Sequence, residues 1–207
     1  MENIIEIKEL CKAYSDFALK NVSFALPKGY IMGFVGQNGS GKTTTIRSIM
    51  NMTKVDSGSI GVFGLDSVRD TLAIKQRLGV VFDSMYLDEY LTAKQIERQI
   101  RPFYKNWNSK DFFDSLKQFS LTDNRAVGDF SKGMKMKLMI TIALAYKPEL
   151  LIGVKTLSDS SIEAVISSPM SSAPEHAVLD RSYIAEICLL TAYVLLAGEK
   201  NRLRIIQ

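Results

Sequence analysis

The chain has 207 residues, 46% of them hydrophobic and 23% charged, a balance that fits one globular domain with a sizeable core and excludes a disordered chain. A net charge of +4 and a pI near 9.0 permit an anionic ligand but do not demand nucleic acid, which is not expected as a partner. The single histidine, His176, excludes a histidine-rich metal site, and the two distant cysteines, Cys11 and Cys188, read as small buried hydrophobes in a reducing cytosol.

The first ten residues, MENIIEIKEL, mix charged and apolar side chains and hold no signal-peptide core. IIEIKEL (4–10) and NVSFALP (21–27) alternate with period two and predict half-buried strands. PKG (27–29) turns into YIMGFVG (30–36), a mostly apolar strand that ends in Gly36. A helix starts near Lys42 and runs through TTTIRSIM, and SGSIGVFG (57–64) and RLGVVFD (77–83) read as further short strands. From Leu91 to about Gln118 the pattern turns helical, with Ile96, Ile100, Phe103 and Tyr104 on one face. The aromatic residues there (Phe103, Tyr104, Trp107, Phe112, Phe113) read as helix core rather than as a base-stacking surface. A second helix covers about 132–146, and Leu150, Leu151 and Ile152 follow as a buried strand. Strands that alternate with helices predict an α/β domain with antiparallel strands at its beginning.

Beyond Ile152 the composition changes. Residues 153–207 carry eight serines and a charge of −1, whereas residues 1–152 carry +5. ICLLTAYVLLAG (187–198) is too short to cross a bilayer as a helix and reads as a core helix.

The strongest motif is GQNGSGKT, residues 36–43, which satisfies G-x-x-x-x-G-K-[ST] between a strand and a helix. Gly36, Gly39 and Gly41 let the backbone curl so that successive N–H groups, those of Gln37, Asn38 and Ser40 among them, point at phosphate oxygens. Lys42 brings a point charge to the β- and γ-phosphates, and the Thr43 hydroxyl is a candidate Mg2+ ligand. The following helix, which Thr44 enters, presents its positive end to the same anion.

With YSDFALKNVSFALPKGYIMGFVGQNGSGKTTTIRSIMNMTKVDSGSIGVFG, then RLGVVFD, then DFSKGMKMKLMITIALAYKPELLI, the chain resembles the ATP-binding subunits of ABC transporters, and most closely those serving ABC-2-type exporters. The resemblance covers residues 1–152. It implies a P-loop NTPase fold with an N-terminal antiparallel β region and a helical signature-motif subdomain at about 84–146. Residues 153–207 would then be a divergent segment that completes or replaces the rest of the core. ATP and Mg2+ are the implied ligands. The implied partners are a membrane-spanning permease and a second ABC ATPase subunit, in a homodimer or heterodimer held at the inner face of the cell membrane.

Residue by residue, the resemblance makes Tyr14 the aromatic that stacks on adenine, against the plainer reading of a strand-end tyrosine packed on the sheet. Asp83 stands where the family usually has a glutamine that touches Mg2+ and senses the membrane subunit, and a carboxylate there suits a hard cation. FSKGM (130–134) matches the signature motif LSGGQ, with Ser131 and Gly133 retained and Lys132 and Met134 departing from it. The motif's γ-phosphate contact is one reading of Ser131, and a plain helix N-cap is another.

After LLI the family expects a further apolar residue, an aspartate that binds the Mg2+ shell and a glutamate that polarises water. This sequence has Gly153, Val154 and Lys155. Losing a general base costs about 10²–10⁴ in rate. Asp159 and Glu163 could substitute only if the chain folded back toward the phosphates. Nor is the switch histidine recognisable, since AVISSP (164–169) places Pro169 where it would stand and His176 comes seven residues later. The sequence therefore predicts ATP binding with little or no hydrolysis.

Overall fold

In the computed structural model, the residues described are 2–35, 39–82, 87–154, 162–167 and 203–206, and the structural statements below concern these. β1 (Asn3–Ala13) buries Ile5 and Ile7 while Glu6 and Lys8 face solvent, as alternation requires, and an irregularity at Glu9, whose φ is 49°, then turns Leu10 into the core. It pairs antiparallel with β2 (Ala18–Pro27) on one side and β4 (Ser57–Val62) on the other, and β5 (Leu65–Asp66) adds to β4. This sheet has the order β2-β1-β4-β5 and matches the antiparallel beginning expected from the sequence.

The second sheet contains β3 (Ile31–Val35), β6 (Leu78–Val81), β7 (Leu150–Val154), β8 (Ile162–Ser167) and β9 (Leu203–Ile206), in the order β6-β7-β8-β3-β9. β6 runs parallel to β7 and β9 parallel to β3, but β8 lies antiparallel to both of its neighbours. The connection explains this. Only residues 155–161 join β7 to β8, and a parallel crossover needs about a dozen residues or more. Val154 pairs with Ala164 and Val35 with Ile162, so β8 starts at the edge of the sheet where β3 and β7 end.

Two apolar clusters flank β7. Leu150 and Ile152 pack with Ile5, Leu26, Ile46 and Ile49 in the first, and Leu151 packs with Phe112, Leu116 and Leu138 in the second. α1 (Lys42–Ile49) belongs to the first cluster, whereas α3 (Ala93–Ile100), α4 (Ser109–Gln118) and α5 (Lys132–Leu144) build the second. Gly79 in β6 lies against this helical layer, since a Cβ there would meet Pro148 Cγ at 2.9 Å and the Ala143 carbonyl at 3.2 Å. A short helix, α2 (Thr71–Arg77), was not expected from the sequence.

The helical stretch expected from Leu91 to Gln118 is broken. A capping box between Thr92 and Gln95 opens α3, a single 3-10 turn follows at Arg101–Phe103, and the Asn108 side chain caps α4 by accepting from the Asp111 N–H. Pro102 is the cause, because its ring and missing N–H stop an α-helix. Phe103 is consequently 72% exposed rather than on the buried face. The other aromatics are core-like. Phe112 is fully buried, and the half-buried Tyr104 stacks on Tyr146 with ring centroids 3.8 Å apart. Beneath them the buried Glu97 carboxylate accepts from Trp107 Nε1 at 3.0 Å and Ser109 Oγ at 2.5 Å. Cys11 is half-buried rather than a core hydrophobe, and its sulfur accepts from the Asn21 N–H at 3.3 Å. Cys188 and residues 187–198 lie outside the described residues. Among the described residues no helix is long and apolar enough to cross a membrane.

β6 and β7 are pinned at their starts by a two-pronged ion pair, Arg77 Nε to Glu149 Oε1 at 2.5 Å and Nη2 to Oε2 at 2.8 Å. The Arg77 guanidinium also lies 4.0 Å from the Phe63 ring centroid. Its hydrogen bonds hold the Glu149 carboxyl below its ordinary pKa. A depressed folded pKa means the stabilisation is present above the unfolded pKa and lost as pH falls through the folded one. Glu149→Gln should therefore melt below the wild type at pH 7. The gap should narrow on acidification and vanish below the lowered pKa, which melting temperatures across pH will show.

Candidate functional site

The sequence between β3 and α1 makes an anion site by what it omits. Gly41, in the N-cap position of α1, has φ +94°, and no side chain caps the helix. Gly41 has no side chain with which to cap α1, and the first turn holds no acidic residue to compete with a bound anion. The amides of a helix start and the positive end of its dipole favour a phosphate there. Lys42 is 5% exposed, and its Nζ donates to Ser40 Oγ at 3.3 Å. Thr43 and Thr44 are half-buried, and Thr45 Oγ1 bonds the Gly41 carbonyl at 3.0 Å, tying the turn to the helix behind it. Gly39 and Ser40 are exposed, on the side from which a ligand would approach. Gly36, Gln37 and Asn38 lie outside the described residues, as does Asp83.

Tyr14 sits just past the end of β1 with 48% of its surface exposed, so it is not packed into the sheet as the plainer reading had it. Its N–H donates to the Phe17 carbonyl at 2.7 Å, closing a tight turn into β2. Lys12 Nζ stands 5.5 Å from the Tyr14 ring centroid and is itself held by Asp56 at 2.8 Å. The Asp56 carboxyl, whose other oxygen accepts from the Ala13 N–H at 2.7 Å, is kept below its ordinary pKa by that bond and by Lys12.

Ser131 is the N-cap of α5, and its hydroxyl accepts from the Met134 N–H at 3.3 Å. Ser131, Lys132 and Gly133 are all exposed. The N-cap reading is thus realised, and the same exposed helix end remains open to an anion from outside. Residues 131–133 and Lys42 belong to elements of different apolar clusters. One turn of α5 further on, Lys135 reaches Glu89 at 2.5 Å, and the Gly128 N–H donates to the Glu89 carbonyl at 2.7 Å, fastening the segment after Asp83 to the start of α5.

The described part of β7 ends in Gly153 and Val154, neither of which offers a side-chain oxygen. Among the described residues no three His, Cys, Asp or Glu side chains gather where they could hold a metal ion. Past β7 the chain folds back as β8, and Glu163 is the extra residue between the Val35↔Ile162 and Phe34↔Ala164 pairs, near the end of β3, while Asp159 lies outside the described residues. Because β8 is antiparallel, Ser167 lies at the opposite edge, paired with Ile31. Pro169 and His176 lie outside the described residues.

Sequence reasoning missed Phe17. A Cβ placed on Gly41 would come within 3.0 Å of Phe17 Cζ and 2.6 Å of Leu19 Cδ1, so the phosphate-binding turn lies against Leu19 of β2 and Phe17 just before it. The signal was the FAL triplet three residues after Tyr14.

The ABC transporter family profile matches residues 19–153. The chain is 36% identical over 141 residues to the ABC transporter ATP-binding protein NatA of Bacillus subtilis, covering 65% of this chain and 57% of that protein. It is 35% identical over 156 residues to the bacitracin transport ATP-binding protein BcrA of Bacillus licheniformis, covering 73% and 51% respectively. Thus the chain spans about half the length of the curated relatives it matches. A solved ATP-binding subunit of an ABC transporter superposes with a TM-score of 0.65 at 27% identity, covering 72% of this chain and 65% of that one.

Gly41→Ala tests the turn. A left-handed backbone costs an L-residue about 1–2 kcal/mol, and the new methyl would also press on Leu19 and Phe17. The variant should melt several degrees lower and lose nucleotide affinity in calorimetry, whereas Gly39→Ala, whose Cβ meets nothing within 4 Å, should suffer the backbone cost alone.

Proposed function

The chain belongs to the ABC transporter family, and from that premise we propose that it is an ATP-binding subunit of an exporter, working at the inner face of the cell membrane through a membrane-spanning permease. The observation that carries this reading is the uncapped start of α1 behind a left-handed Gly41, with the buried Lys42 beside it. Lys42, Thr43, Thr44 and the loop residues 36–41 would hold the phosphates, Tyr14 the adenine, and Thr43 with Asp83 the Mg2+. Ser131 and Gly133 of a second subunit, the same chain or a related one, would close over the γ-phosphate, which their exposure on a separate helix end supports. Closure on ATP would drive the permease. An apolar cleft of about 440 Å3, lined by Met52, Phe82, Leu87, Ile100 and Met139 among others and lying directly before Asp83, is the surface we assign to that partner. The permease selects the cargo.

Mg2+, when bound with ATP, would supply positive charge at the γ-phosphate; Lys42 and Thr43 would position that phosphate, and the residues of β7 offer no base. β7 supplies no carboxylate to orient water, so binding without ordinary turnover is the expected behaviour. Purified protein should bind ATP in calorimetry and release phosphate at least about 10²-fold more slowly than is ordinary for such subunits. Lys42→Ala should abolish the binding. Hydrolysis at an ordinary rate that Lys42→Ala abolishes would overturn the defective-site reading.

A second reading is favoured by the family match ending at residue 153, where the composition also changes. On this reading the residues after Ile152 derive from a shifted reading frame or a fused gene. The coding DNA around codon 152 decides it, because a shifted frame that restores an aspartate–glutamate pair and a later histidine establishes the frame change. If no frame does so, the variant is genuine or a fusion; a nucleotide-binding module whose ATP-dependent dimerisation is its output would bind ATP and dimerise without turnover, which calorimetry and sedimentation with and without ATP will show.

A further inference from the structure

Tyr14 and Phe17 form one aromatic surface that begins at the phosphate-binding turn. Their rings are roughly parallel, with centroids 6.4 Å apart and planes 29° from each other. Tyr14 is the outer, exposed ring, braced by Lys12. Phe17 is the inner one, half-buried against the first apolar cluster, and its Cζ would lie 3.0 Å from a Cβ built on Gly41. Phe17 thus stands beside both the Tyr14 ring and the Gly41 turn.

We propose that Phe17 is the second aromatic wall of the nucleobase site, shared between the base and the Gly41 turn. The inference rests on the ATP-binding reading and adds to it a residue that discriminates a nucleoside triphosphate from a bare polyphosphate. The ligand class is a planar base attached to a triphosphate. Aromatic stacking on a base is worth a factor of about 5–150 in affinity when the ring is removed. Because Phe17 also supports Gly41, deleting its ring could damage the phosphate site as well, and the two roles need separate readouts.

The full chain is titrated calorimetrically with ATP and with inorganic tripolyphosphate, for wild type, Phe17→Ala and Phe17→Leu. Leucine keeps apolar bulk against Gly41 and Leu19 but has no flat face. Phe17→Leu should bind ATP about 10-fold more weakly, keep its tripolyphosphate affinity within about 3-fold, and melt close to the wild type. Phe17→Ala should lose at least as much ATP affinity. The proposal is overturned if Phe17→Leu binds ATP as the wild type does, or if either variant loses ATP and tripolyphosphate affinity in equal proportion, since Phe17 would then be only a prop for the loop. A wild type that binds tripolyphosphate but gains nothing from the base overturns it too. A wild type that binds neither probe overturns the ATP-binding reading itself.

Discussion

The positive end of a helix dipole attracts an anion most where no acidic side chain competes for it, and the start of α1 meets that condition. Gly41 takes the left-handed conformation that ends the loop and has no side chain with which to cap the helix, and the first turn carries threonines instead of acids. The rest of the molecule holds this arrangement in place. β3 brings the chain to the loop from within the second sheet, Ile46 and Ile49 anchor α1 in the first core, and Leu19 of β2 with Phe17 just before it leaves no room for a side chain at Gly41. Substituting any of these supports would alter the aim of amides that the ligand needs fixed.

β7 carries the second constraint. Its alternate residues enter two cores, so the strand couples the layer that holds the phosphates to the layer that holds residues 131–133. The Arg77–Glu149 pair fixes where that coupling begins, and the Tyr146 hydroxyl adds to it by donating to the Leu78 carbonyl at 2.9 Å. What β7 lacks is the chemistry usually mounted at its far end. β7 thus joins the two cores through residues that offer no side-chain oxygen.

Much of this could be read from the residues alone. Period-two alternation gave β1 and β2, the glycine-rich loop and the lysine gave the anion site, and the serine before a long apolar run gave α5 and its cap. The parts that could not be read have physical causes. Pro102 divides a stretch whose apolar spacing looks continuous, because periodicity counts side chains and ignores a missing N–H. α2 is a seven-residue helix with one fully buried residue, Ile74, too little to leave a pattern. The direction of β8 depends on the length of the connection before it, and its hydrophobic alternation would look the same in either direction. For Phe17 the only local sign was the FAL triplet after Tyr14; its place beside Gly41 joins separate elements, which no local pattern encodes.

The chain's sole tryptophan, Trp107, lies in the aromatic layer of the helical part, bonded to the buried Glu97 and 5.6 Å from Phe112 between ring centroids. No part of the phosphate-binding turn shares that layer. Its emission is therefore a built-in optical gauge of the helical layer, since the indole samples the Glu97 carboxylate and the Tyr146 ring rather than the nucleotide. Nucleotide that quenches or shifts this signal must act by moving one layer against the other. Nucleotide that leaves it unchanged has been accommodated within the sheet side alone.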